Sequence, residues 1–141
     1  MSELKQSVSG GELSESLGFV EIVEMVPGHA RLRYRVGMHM CHSGGIAQGG
    51  FVAGWIDAAM AHAVMAKYGL EKVAMTLELK ISYFAPTNPG LVIAEGWIES
   101  GGGNTIFVEG RLLDEKDKVL AKGTSTIRLV DAARVAKMTG G

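Results

Sequence analysis

Cysteine is almost missing from this chain. One residue, Cys41, in 141 excludes an intrachain disulfide framework and fits a reducing compartment. Excess charge is missing too. Fourteen Lys and Arg against 15 Asp and Glu leave a net charge of −1, so no field exists to hold nucleic acid or an anionic membrane by electrostatics alone. Proline stops at three, and the 20 glycines follow no G-X-Y period, which excludes collagen and low-complexity disorder. The opening MSELKQSVSGGELSES is polar and lacks the apolar segment of a secretory signal, so a cytoplasmic protein is expected. What is abundant is apolar side chain, 47% of a chain long enough to bury a core. One domain over residues 1–141 is expected, with 1–17 as a mobile or weakly helical arm and 131–141 as a tail.

The hydrophobic period changes along the chain. Phe19 to Met25 and Ala30 to Val36 read as two strands around a Pro27-Gly28 turn, the second alternating Ala30, Leu32, Tyr34 and Val36 with an arginine row. That row reads as a solvated outer face, and His29, just after the turn, as exposed. Gly50 to Tyr68 reads as a helix capped by Gly69. It is apolar on almost every side and approaches the length of a bilayer span, but Asp57 near its middle argues for a helix surrounded by protein. Period two then returns in Val73 to Phe84, Leu91 to Ser100, Thr105 to Asp114 and Lys118 to Val130. The short connections predict an antiparallel meander of these four strands. A single helix apolar on most sides is best buried if the sheet curls around it, giving an α+β fold. Gly96, Gly110 and Gly123 are expected to ease that curvature, and the tail suits a short helix.

The chemistry concentrates in H42-S-G-G-I-A-Q-G-G-F-V-A-G-W-I-D57. A carboxylate inside an apolar helix costs several kcal/mol unless partnered. Gly54 lies one turn before Asp57 and Gly50 two turns before, so little side-chain bulk covers that face. Gly49 and Gly50 fall at the helix N-terminus, where free N–H groups stabilise an anion or a developing oxyanion. A carboxylate with such a donor is a workable hydrolytic pair. The same Asp57 also suits a buried polar anchor at a strand or subunit contact.

Gly-Gly opening an apolar helix, Asp seven residues after the second Gly, and a strand ending in Ser-Tyr-Phe-x-Pro form one pattern. It resembles the hotdog-fold acyl-CoA thioesterases of the 4-hydroxybenzoyl-CoA thioesterase superfamily, particularly the phenylacetate-pathway branch, over about residues 17–130. The resemblance implies a six-stranded antiparallel sheet wrapped on one helix, and side-by-side homodimers, often homotetramers, with sites at the subunit interface. Asp57 corresponds to the catalytic nucleophile or general base, Gly49 to the amide that polarises the thioester carbonyl, and Thr76 to the hydroxyl that positions water. Gln48 stands where the family usually has His, and His42 falls near its usual Asn. Gln48 then suits an amide donor and His42 a second proton carrier.

The implied substrate is a small to medium acyl- or aryl-CoA. Gly50 and the turn Gly101, Gly102, Gly103 and Asn104 are candidates for holding the coenzyme A moiety, the turn as a nest for its phosphates or merely as a tight turn. Neither metal nor cofactor is expected, because His39, Cys41 and His42 lack zinc-ligand spacing. His62, five residues from Asp57, reads as a core or interface histidine on another helical face. Met38, Met40, Met60, Met65 and Met75 suit core filling or an adaptable acyl lining. Two other activities stay open on the same fold: an enoyl-CoA hydratase or dehydratase using His42, and a noncatalytic acyl-CoA binding protein.

Overall fold

The computed structural model describes residues 10–139. A five-residue helix α1 (Glu12–Ser16) precedes the hairpin of β1 (Phe19–Val26) and β2 (His29–Val36). Residues 10–17 of the expected arm are therefore partly helical, and its first nine lie outside the described residues. The alternation in β2 turns Ala30, Leu32, Tyr34 and Val36 into the core and the arginines outward. A short ribbon of β3 (Cys41–His42) and β4 (Ile46–Ala47) leads into the long helix α2 (Gly49–Tyr68). Gly69, at φ 81°, ends it as expected, its N–H donating to Met65 O at 2.8 Å. Then come β5 (Lys72–Tyr83), β6 (Gly90–Gly102), β7 (Thr105–Leu113), β8 (Val119–Asp131) and α3 (Ala132–Met138).

Six strands form one antiparallel sheet in the order β1-β2-β6-β7-β8-β5. The predicted meander holds for β6, β7 and β8 and fails for β5, which pairs with β8 at the far edge. Residues 84–89 therefore cross the end of the sheet from the β5 edge past β8 and β7 to β6. Extended, six residues reach about 20 Å, enough for three strand spacings of about 4.8 Å each. Loop length alone does not distinguish that crossover from a hairpin.

The sheet curls around α2, whose Trp55, Ile56, Ala59, Met60 and Ala63 are fully buried. Gly96, Gly110 and Gly123 are register partners across β6, β7 and β8 and form a row beneath the helix. A Cβ on Gly96 would stand 2.6 Å from Met60 N and 2.7 Å from Ala59 O. The row thus sets how closely backbone meets backbone, beyond the curvature expected of it. Gly96→Ala is expected to destabilise the fold by about 1–3 kcal/mol, because helix and strand must separate. Gly102→Ala, where nothing lies within 4 Å, should move the urea midpoint little.

The helix is less enclosed than its composition predicts. Ala53, Gly54, Asp57, Ala58 and Ala61 remain half-buried, because the sheet of one chain covers one side only. Among the described residues no helix is long and apolar enough to cross a membrane.

On the outer face, His29 is not simply exposed. Its Nε2 lies 2.7 Å from Glu95 and its Nδ1 2.8 Å from Glu24. Arg111 Nε donates to the other Glu95 oxygen at 2.7 Å, and Arg33 pairs with Glu21, so the outer face carries ion pairs rather than a bare arginine row. Burial alone would raise the Glu95 pKa, but hydrogen bonds from Arg111 and His29 outweigh it and hold the carboxyl below its ordinary value.

Candidate active site

Gln48 is the N-cap of α2, with extended backbone (φ −63°, ψ 139°) and its side-chain oxygen accepting from Gly50 N–H at 2.9 Å. The side chain expected to donate to a thioester therefore spends its oxygen on the cap, leaving the amide nitrogen as its donor end. Gly49 is the first residue of the helix, so its N–H is one of those the helix leaves without an internal acceptor. Its carbonyl accepts from Tyr83 Oη at 2.7 Å. Sequence reasoning missed Tyr83, although it lies in the quoted Ser-Tyr-Phe-x-Pro run. His42, exposed on β3 with Nδ1 2.9 Å from Ser43 Oγ, joins Gly49, Gly50 and Tyr83 around a cavity of about 610 Å³.

Asp57 lies two turns further along α2, half-buried rather than enclosed. Thr76 Oγ1 on β5 donates to Asp57 Oδ1 at 2.9 Å. The two residues predicted to act together are thus in contact. Their meeting depends on a bulge: β5 loses register with β8 between Thr76 and Glu78, leaving Leu77 as the extra residue. In an unbroken strand Thr76 and Tyr83 would face opposite sides of the sheet. The bulge shifts the phase, and both reach α2.

A groove of about 440 Å³ opens beside Asp57, walled by α2, by β5 and by Leu13, Ser14 and Leu17 of the arm. Leu17 O accepts from buried Trp55 Nε1 at 2.7 Å, anchoring the arm over Gly54. The arm's role was not foreseen, though its apolar pair Leu13 and Leu17 has helical spacing. His62, buried as expected of a core histidine, also lines this groove, with Nδ1 donating to Ala58 O at 2.6 Å. Tyr34 lines it too, and burial pushes its phenol pKa upward, which keeps it neutral. Of the methionines singled out, Met65 lines the groove, Met40 and Met60 fill the core, and Met38 and Met75 are exposed.

The remaining candidates lie elsewhere. The β6–β7 turn falls at Gly103 and Asn104, with Gly101 and Gly102 in the strand. Asn104 shares a shallow depression with Lys72, Arg128 and Arg134, near the C-terminal end of α2. Gly50, at the other end of that 20-residue helix, is about 27 Å away along the axis. Gly49 and Asp57 are likewise about 12 Å apart along it.

A six-stranded antiparallel sheet curled around one long helix, with a carboxylate on the helix face that the sheet leaves open, defines a hotdog fold of the thioesterase kind. Residues 44–121 match the family model described as Thioesterase superfamily, and the chain belongs to that superfamily. Among solved structures it is similar to a conserved protein of Pseudomonas aeruginosa (26% identity, TM-score 0.81, covering 89% of this chain and 98% of that one). It is also similar to a variant of the phenylacetic acid degradation protein PaaI of Thermus thermophilus (27%, 0.71, 81% and 95%). A hypothetical thioesterase of Streptococcus pneumoniae, solved with coenzyme A, shares the fold (20%, 0.72, 79% and 85%). No curated protein matches the chain.

Proposed function

We propose that the protein hydrolyses acyl-CoA thioesters at a site shared between two copies of the chain. The observation that carries this is the Thr76–Asp57 hydrogen bond at the mouth of the groove, on a helix face with little side-chain bulk. The thioester carbonyl oxygen rests on the Gly49 N–H of one chain. Asp57 of the other attacks the carbonyl carbon to give an anhydride that water then hydrolyses, or takes a proton from a water held by the Thr76 hydroxyl as that water's oxygen adds to the carbonyl carbon. The thiolate leaves with the C–S electron pair and takes up a proton from solvent. The family and the coenzyme A bound to the pneumococcal relative support this substrate class.

Two chains are needed because 12 Å along one helix separates donor from carboxylate. β5 offers the means, as a 12-residue edge strand with exposed Leu77, a ready template for a second copy. Tyr83 marks the level of Gly49 on this strand and Thr76 the level of Asp57. An antiparallel β5–β5 pairing about a two-fold axis midway between them, between Leu79 and Lys80, places each Gly49 beside the other chain's Asp57. His42 and the amide of Gln48 then border the sulfur side of the site.

The test is a panel of acyl-CoAs followed with a thiol reagent. At least one is expected to release free coenzyme A at a rate proportional to protein. Loss of an enoyl-CoA double bond without thiol release would favour the hydratase reading instead.

A further inference from the structure

The groove beside Asp57 has a shape and a lining that the hydrolytic step does not use. Asp57, Ala61 and Met65 succeed one another at four-residue intervals, so they mark a line along α2 about 12 Å long. Alanines hollow its middle, at Ala58 and Ala61 on the helix and Ala74 on the strand, while Met65 lies at the far end. Leu13 and Leu17 form the opposite wall, held in place by the Trp55 bond to Leu17 O. Among the described residues no Lys or Arg lines the groove, and the one carboxylate stands where the reaction would occur.

We infer that this groove takes the acyl group, and that it is built for an uncharged aliphatic chain of about eight to ten carbons, at about 1.3 Å of length per methylene. The inference rests on the thioesterase reading, since it supposes a carbonyl at Asp57. A terminal carboxylate finds no Lys or Arg among the described residues here, and His62, the basic side chain in the lining, gives its Nδ1–H to Ala58 O at 2.6 Å. A phenyl ring on a short acyl stem fills only the half nearest Asp57, leaving the stretch towards Met65 without apolar contact. Ala61 sets the width at mid-length, and Met65 closes the end.

The experiment uses nonhydrolysable thioether analogues of acyl-CoA, from acetyl to palmitoyl together with phenylacetyl, titrated by calorimetry, alongside kcat/KM for the matching thioesters. Affinity is expected to rise about fourfold per methylene, up to eight to ten carbons, and then to level. Ala61→Phe should weaken the decanoyl analogue at least about tenfold and leave the acetyl analogue unchanged, since more than two methylenes lose their place. Met65→Ala should move the plateau to longer chains, and it carries the test alone if the phenylalanine variant melts early. A flat chain-length profile, tighter binding of phenylacetyl than octanoyl, or a plateau unmoved in both variants would overturn the assignment. The two readings fail separately. Chain-length-dependent binding without thiol release leaves the acyl groove standing and removes the thioesterase, whereas Asp57-dependent hydrolysis indifferent to chain length does the reverse.

Discussion

Replacing Asp57 by alanine is expected to lower kcat/KM for the best acyl-CoA by about 10³-fold or more, the range found when a general base or nucleophile is removed. Asp57→Asn should do nearly the same. Its amide oxygen still accepts from Thr76, so the contact seen at 2.9 Å persists while nucleophile and base are lost. Because Asp57 is half-exposed, thermal melting of the asparagine variant should stay within about 0.5 kcal/mol of the parent. An anchoring carboxylate would give the opposite outcome, with stability reduced and turnover retained. In the active parent, a single turnover in labelled water separates the two chemical roles. Label entering the Asp57 carboxylate means attack by the side chain, and label confined to the acid product with no anhydride trapped by hydroxylamine means an activated water.

The second large effect comes from mixing two inactive variants. Gly49→Pro deletes the N–H that would stabilise the oxyanion, and proline is well tolerated at the first helical position. Gln48 already has the extended backbone that a residue before proline requires. The proline Cβ would stand 3.2 Å from Tyr83 Oη, which must give way by a few tenths of an ångström; with that shift the variant should fold with unchanged helix content and lose about 10²- to 10³-fold in kcat. Mixed with Asp57→Ala chains and allowed to exchange subunits, it should regain about a quarter of parental activity. Half of the two-fold dimers are then mixed, and each of those carries one site with both groups intact. Activity remaining at background after exchange would mean that each site is built from one chain.

Much of the architecture is legible in the sequence. Six sheet strands and a long helix fall within about two residues of their expected positions, because strict alternation and an unbroken apolar run with a glycine cap are local signals. The β5 pairing was not legible. A six-residue connection containing two prolines fits a hairpin or a crossover, and the choice depends on how far the sheet curls. The histidines illustrate the same limit. His29 follows a turn and so reads as exposed, yet strand register brings it to Glu95, 66 residues away. Asp57 is less enclosed than an apolar helix implies, for a related reason. Composition reports that a helix is apolar on all sides, but not which of those sides its own chain covers.

From sequence come the helix with its small-residue face, the carboxylate on that face, the amides at its N-terminus and the resemblance to a thioesterase family. These depend on residue type and spacing, which the chain carries locally. Only the tertiary structure decided that Thr76 and Tyr83 face the same way, because a bulge at Leu77 reverses the phase of β5 between them. It also decided that the arm walls the groove, through one hydrogen bond from Trp55 to Leu17. Both are contacts between segments far apart in the chain. The near absence of cysteine, charge excess and proline left no disulfide, field or rigid turn to announce them, so strand register and one long-range hydrogen bond set them.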